Sequence, residues 1–573
     1  METSMKVVEF ALRPFPAVAA LDHVATSISS FLDRSVMIPL DQACAVGSTR
    51  LLDRIWHNSD PEADRGAAWS LCNYLRSEVH YYQFQFSKSL RAAVTRGELE
   101  IVQWVLEHFS ACTAGEEVVE QAARCGRLEI LQYLLEYGRR GQCDDETVNV
   151  VTWGGEDIVN AIEAGHGEVA RWLYENTSDA ERDWSRAMGF AARQGDMSLV
   201  QWLLDGIYKT ELHLPPPLMN DAAAGGHMEM LQWIFQQGYG GCSDRALEGA
   251  ARNGRLDMVK WLVEHGILKG GREAMQVACG EGHLSIVQWI LKRKWVQYLQ
   301  FAMNCAVRSG HLDIVHYMCE AGVGMEPSRM MVEAASSGQL GVVQWLHDKF
   351  GSATLFPAVD SSRRGCSRHT AMDRAASNGH LNVLEFLHSI EMSMQSRGES
   401  GGPTCSEWAL TSACAMDHFE VAKWIYSKYP CFRFPPSTTS MVARNGNLEI
   451  LQWLHHQPNI EWSTDTMDSA AENGHLAVVR WLHKNRTEGC TTNAMNYAAR
   501  DGHFAVVKWL HIHRTEGCTT DAMDFAVDRE HFEVLLFLRA HKEEGCSASA
   551  TLFAREHRQR HIREWLEEYF PDV

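Results

Sequence analysis

The sequence predicts an all-α solenoid of about sixteen helix-turn-helix repeats with capping ends, and three observations predict it. The phrase RTEGCTT begins at Arg486 and again at Arg514, 28 residues later. A turn residue ahead of a line of the form H-L-x-V-V-x-W-L recurs at Gly97, Gly126, Gly165, Gly195, Gly226, Gly254, Gly282, Gly310, Gly338, Gly379, Asp417, Gly446, Gly474, Gly502, Glu530 and Arg558. Seven positions after each turn residue stands an aromatic ring, from Trp104 and Tyr133 through Trp481 and Trp509 to Phe537 and Trp565.

Taken in chain order, residues 1–90 form an N-terminal helical cap. Within it, 43–56 (ACAVGSTRLLDRIW) read as a degenerate repeat about Gly47, and 69–88, with Tyr74, Tyr81, Tyr82, Phe84 and Phe86, complete the cap. Residues 21–32 (LDHVATSISSFL) have the pattern of a short amphipathic helix, similar to a fragment of an F-box. A first repeat array fills 91–347. Steps of 39, 41 and 38 between turn residues place insertions at 139–157, 348–368 and 389–405. The last two are rich in Gly and Ser and are expected to be mobile, so that 348–405 interrupts the repeat as a hinge. The array resumes over 406–573 and ends in a cap, where Arg558, Gln559, Arg560, His561 and Arg563 replace much of the apolar pattern and Trp565, Leu566, Tyr569 and Phe570 keep one apolar face.

Each repeat reads as two helices. In 492–500, Ala494, Met495, Ala498 and Ala499 follow helical spacing, and Thr491 or Thr492 can accept the orphan N–H groups of the first turn. Gly502 ends this helix, because glycine takes positive φ without a Cβ clash. Helix two, 503–511, carries Phe504, Val506, Val507, Trp509 and Leu510, apolar coverage wide enough for packing against its partner helix and both neighbouring repeats. The aromatic at the same place in every repeat predicts a stacking ladder.

Composition narrows the function classes. Hydrophobic residues make up 45% of the 573, enough for a core throughout. With 53 Lys and Arg against 73 Asp and Glu, the formal charge of -20 repels phosphate backbones and anionic lipid, so neither nucleic acid nor membrane is expected as a partner. The basic run Lys292, Arg293, Lys294 beside Trp295 reads as a solvated helix end. No apolar stretch is long enough for a membrane span. The 16 cysteines form no C-x-x-C pair and fit buried reduced thiols, which points to the cytoplasm, or the nucleus, as the setting. A monomer is expected.

The line Ala470-Ala471-Glu472-Asn473-Gly474-His475-Leu476-Ala477-Val478-Val479-Arg480-Trp481-Leu482 resembles the ankyrin repeat, with its two alanines, glycine-histidine turn and valine- and leucine-rich second helix. The resemblance covers about residues 90 to 570. Ankyrin repeats usually run to about 33 residues from a T-P-L-H start, whereas here the start is C-T-T-x-A-M and the period is 28. The difference falls at 485–489, where the β-hairpin finger would be, so short or absent hairpins are expected. What the resemblance implies is a non-catalytic scaffold or adaptor that binds protein. A substrate-receptor, F-box-like subunit of a ubiquitin ligase is the alternative.

Nine repeats carry histidine after the turn residue, His166, His227, His283, His311, His380, His418, His475, His503 and His531. The resemblance implies that each ring bonds backbone of a neighbouring turn. Spacing agrees, since equivalent residues of adjacent repeats sit about 8–10 Å apart, while zinc holds its ligands at about 2.0–2.3 Å. The same spacing keeps Cys490, Cys518 and Cys546 from cross-linking, and each reads as a small residue packed before a helix N-cap. His455-His456 and His511 with His513 read as solvated helix ends favoured by the helix dipole. No nucleophile elbow, phosphate loop, dinucleotide fingerprint or H-E-x-x-H occurs, so no catalytic, cofactor or metal residue is assigned. In ankyrin-like solenoids the first helices line the concave face. There Asp465, Asp468, Asn493, Asn496, Asp521 and Asp524, with Arg500 nearby, are expected to face outward as an acidic and amide-rich strip for a basic or polar protein partner.

Overall fold

A computed structural model describes residues 38–571 except 61–68, 141–147, 178–182, 206–217, 239–241, 267–269, 295, 297–298, 324, 357–369, 400–401, 459 and 558. The F-box-like reading of 21–32 lies outside the described residues, as do parts of all three insertions.

The repeat is a pair of helices joined by a left-handed turn. In the helix Thr492–Arg500 the Thr491 hydroxyl accepts the Asn493 N–H at 3.1 Å, the cap expected from the sequence. The helix closes when the His503 N–H reaches the Ala498 carbonyl at 2.8 Å, which needs positive φ at Gly502 (73°). Helix Phe504–His513 follows and buries Val506, Val507, Trp509 and Leu510. Asp417 and Glu530 hold the same left-handed position at φ 64° and 59° with a Cβ attached.

Where a hairpin finger would be, the RTEG phrase makes a pinned turn. Arg486 Nε donates to Glu488 at 3.1 Å while its guanidinium lies 4.6 Å over the Trp462 ring. Arg514 and Glu516 repeat the pair at 3.2 Å. Among the described residues the β pairing consists of one parallel ladder, Thr113–Ala114 with Val150–Val151. The fold is otherwise a helical repeat solenoid, with first helix packed on first helix from repeat to repeat.

The aromatic series does not stack ring on ring. In eight of the described repeats the ring is met edge-on by the side chain two positions beyond the aromatic position of the repeat before. His347 meets Phe386 at 5.9 Å and 89°, His455 meets Trp481 at 5.5 Å and 88°, and His483 meets Trp509 at 5.2 Å and 83°. Phe235 on Trp261 and Tyr426 on Trp453 put an aromatic ring in the histidine's place. Edge-to-face contact is the arrangement that aromatic quadrupoles prefer. His455 and His511 are therefore joints between repeats rather than solvated ends, His511 meeting Phe537 at 5.4 Å, and His513 stacks on Trp509 at 4.5 Å.

The chain forms two compact units. One comprises residues up to Ala187 together with those from Ala554 onward. In it, helix Arg560–Tyr569 buries Ile562, Trp565 and Leu566 and packs on helix Val79–Arg96. His80 Nε2 lies 3.0 Å from a Glu568 carboxylate oxygen, and the Tyr569 hydroxyl donates to Glu78 at 3.1 Å. The segment read as a polar end cap thus has a partner.

The other unit runs from Met188 to Phe553. In it the stacking continues across the stretch expected to be a hinge. Helix Pro327–Ser336 lies beside Ala371–Ser377, and His380 Nε2 donates to the Ser336 carbonyl at 3.2 Å. Helix Leu381–Ser396 runs through 389–396, so this part of the stretch expected to be mobile is regular helix. Its middle is tied to the next repeat where His388 Nδ1 stands 3.1 Å from both the Glu391 carboxylate and the Tyr429 hydroxyl.

Candidate functional site

The face formed by the first helices carries the polar residues that repeat packing leaves over, and it sorts them into two rows. Nine positions before the turn residue, Asp465, Asn493 and Asp521 are exposed. Six positions before it, Asp468, Asn496 and Asp524 are buried, at 7%, 2% and 4% exposure, which corrects the expectation that they face outward.

The physical reason is the start of the following helix, whose first N–H groups need acceptors. Asp468 takes the Thr491 N–H at 2.8 Å and the Thr491 hydroxyl at 2.6 Å. Asn496 accepts the Thr519 N–H at 3.0 Å and donates to its hydroxyl at 2.8 Å. Asp524 accepts the Ser547 N–H at 2.8 Å and its hydroxyl as well. Asn220 with Ser243 and Asp373 with Ser406 make the same bond, each at 2.9 Å. Burial pushes the Asp468 carboxyl above the usual carboxylate range, opposed by the two Thr491 bonds. These side chains join one repeat to the next.

Arg500 is also engaged. It pairs with Glu472 and with Asp501, each at 2.9 Å, and its guanidinium lies 5.0 Å over the Tyr497 ring. Tyr497 stacks on Phe525 of the next repeat at 6.2 Å and 25°. The exposed row is less bound. Asp521 accepts the Thr519 hydroxyl at 3.0 Å, and Thr491 holds only the backbone N–H of Asn493.

The histidines after the turn serve the backbone. Nε2 of His227, His283, His311 and His475 donates to a carbonyl of the preceding repeat at 3.1, 3.0, 3.0 and 2.9 Å. The ring lies flat against the preceding glycine, so that a Cβ on Gly474 would come 2.5 Å from the His503 ring. Gln339 and Arg255 stand in the same place and donate in the same way, at 3.1 and 2.9 Å. Donation is what the position requires, and imidazole is one way to supply it. Among the described residues no three His, Cys, Asp or Glu side chains gather to hold a metal ion, and no helix is long and apolar enough to cross a membrane.

Cys490, Cys518 and Cys546 are buried before the first helices, and burial pushes each thiol up to about 11. The nearby helix start does not activate them.

Two family descriptions match the sequence. "Ankyrin repeats (3 copies)" matches residues 188–271 and 250–331, and "Ankyrin repeats (many copies)" matches 331–388, 467–511 and 497–539. No curated protein matches. Solved structures of similar helical layout include the pentatricopeptide repeat protein PPR10 from maize, at 11% identity over 98% of this chain and 97% of that one, with a TM-score of 0.28. The same protein in complex with an 18-nt psaJ RNA element gives 12% identity over 98% and 93%, with a TM-score of 0.33. Likeness that distant carries no argument about ligand.

Proposed function

The chain is an ankyrin-repeat protein, and on that premise we propose that it is a non-catalytic scaffold that binds a protein partner through the exposed row of its first helices. One observation carries the reading: repeat packing consumes the polar row at Asp468, Asn496 and Asp524 and leaves Asp465, Asn493 and Asp521 exposed. Carboxylates and an amide at regular spacing along one face suit a partner with basic or polar groups on an extended surface. The described cysteines are all free thiols, which supports a reducing compartment.

The test is a triple variant, Asp465→Ala, Asn493→Ala and Asp521→Ala, compared with the parent in affinity purification followed by mass spectrometry. Melting should be little changed. Proteins that the parent captures should be lost from the variant, and an unchanged set of captured proteins would overturn the assignment of this face.

A further inference from the structure

One first helix in the middle of the array, Glu407–Ala415, has a solvent face without charge. In the row that holds Asp465, Asn493 and Asp521 further on, it carries Trp408, and Ser412, Ala415 and Met416 follow at i+4, i+7 and i+8, spacings that keep side chains on one helical face. Glu407, the one charged residue of the helix, accepts the Arg433 N–H at 3.0 Å.

Three large apolar side chains stand around the small, buried Ser412 and Ala415. Trp408, engaged in contacts of its own, is 37% exposed, Met416 is 61% exposed, and Met441 of the next first helix, Thr438–Arg444, is 44% exposed. The Asn445 amide donates to the Ala415 carbonyl and ties the two helix ends in a register that sets Met441 level with Ser412, as Tyr497 is level with Phe525. Single apolar side chains on a surface are ordinary, whereas a group of them on a face that is polar in neighbouring repeats marks a docking surface. The flexible, polarisable methionine thioether lets such a patch fit anchors of different shape.

Arginines bound the patch on both sides. Arg374 holds the position of Ser412 one repeat earlier; it is exposed, and among the described residues its guanidinium has no carboxylate partner. Arg444 stands one turn after Met441, 59% exposed, with Glu472 at 3.5 Å, a pairing that adds little in water.

We infer that this patch seats a large apolar side chain of a protein partner whose neighbouring residues carry carboxylates. The inference rests on the first-helix face being the partner-binding face, and it gives that partner an acidic, apolar-anchored stretch beside the basic or polar one that meets Asp465, Asn493 and Asp521. The anchor covers Ser412 and Ala415 between Met416 and Met441, and the carboxylates reach Arg374 and Arg444. Equivalent residues of successive repeats lie about 8–10 Å apart, so the two guanidiniums bracket about 16–20 Å, the length of about five or six residues of extended chain.

A phage-displayed library of random dodecapeptides, selected against the immobilised full chain, tests the patch. Enriched peptides should carry Leu, Met, Phe or Trp with Asp or Glu on either side. The most enriched peptide, resynthesised with fluorescein, is then titrated against the chain and its variants by fluorescence anisotropy. Met416→Asp and Met441→Asp place a charge in the patch at exposed sites, where melting should be little changed, and each should weaken binding by about tenfold. Met441→Leu, of similar volume, should bind as the parent does. Arg374→Ala and Arg444→Ala should each weaken binding by about two- to fivefold. No enrichment of such peptides, or unchanged binding by both aspartate variants, would overturn the patch. If the Asp465, Asn493 and Asp521 triple variant loses its captured proteins while Met441→Asp binds the peptide normally, the patch falls and the polar row stands. If Met441→Asp loses the peptide while the triple variant keeps its captured proteins, the patch stands and the polar row falls.

Discussion

Trp509→Ala tests whether the edge-on contacts are the joints of the array. Trp509 is 8% exposed, with His483 edge-on at 5.2 Å from the repeat before and His513 stacked at 4.5 Å from its own helix. A tryptophan buries about 150–250 Å². At about 25 cal/mol per Å², and with the cavity left by truncation, the change to alanine costs about 3–5 kcal/mol. Stability in a solenoid is a sum of repeat and nearest-neighbour terms, so the loss should stay local. Hydrogen exchange read by mass spectrometry should show faster exchange in Leu476–Asn485, Phe504–His513 and Phe532–His541, with Leu256–Glu264 and Leu284–Lys292 unchanged. The same substitution at Trp481, which is only half-buried, should cost less. A loss below about 1 kcal/mol at Trp509, or one spread evenly over the chain, would refute the role given to these contacts.

Further expectations follow from the same joints. Asn496→Ala removes the acceptor at the start of the next helix and should cost about 1–2 kcal/mol in urea unfolding, with Asn496→Asp milder because it keeps the acceptor. His503→Gln should be nearly neutral, since Gln339 already makes the bond elsewhere, while His503→Ala should lose about 1 kcal/mol. Burial holds His380, His503 and His511 below the ordinary histidine value, so the folded chain binds fewer protons than the unfolded one. That stability is fully present above about pH 6.5 and is lost as the pH falls through it, which denaturation midpoints at about pH 7.5 and about pH 5.5 should show, with a shallower slope in His503→Gln. Glu530→Gly relieves a left-handed residue that carries a Cβ and should raise stability by about 1 kcal/mol, whereas Glu530→Ala should not. Exposed Cys431 should alkylate well before Cys490, Cys518 or Cys546 in a timed thiol-labelling experiment.

The helix pairs, their left-handed turns and the Thr491 cap were legible because each depends on residues close together in the chain. The row at Asp468, Asn496 and Asp524 was misread because a charged or amide side chain on a helix looks solvated when its partner is far along the sequence. That partner lies 23 residues on in each case, at Thr491, Thr519 and Ser547. Aspartate or asparagine recurring in step with a threonine or serine was the available signal. His455 and His511 were misplaced for a related reason: the aromatic that covers each belongs to the next repeat. The W-L-H ending is one half of a contact whose other half lies a repeat away.

Helix Arg560–Tyr569 packs on Val79–Arg96, and the bond between His80 and Glu568 spans 488 residues of chain. On the ribosome most repeats meet their next neighbour within seconds of emerging. The Val79–Arg96 helix instead waits for everything between to be made, about 25–100 s at about 5–20 residues per second. Closing so long a span carries more chain entropy than any other joint described in this fold, so this contact forms slowly and after its neighbours. During that interval the nascent chain holds a nearly finished array whose first-made surface still lacks its cover, and it is there that a chaperone would find it.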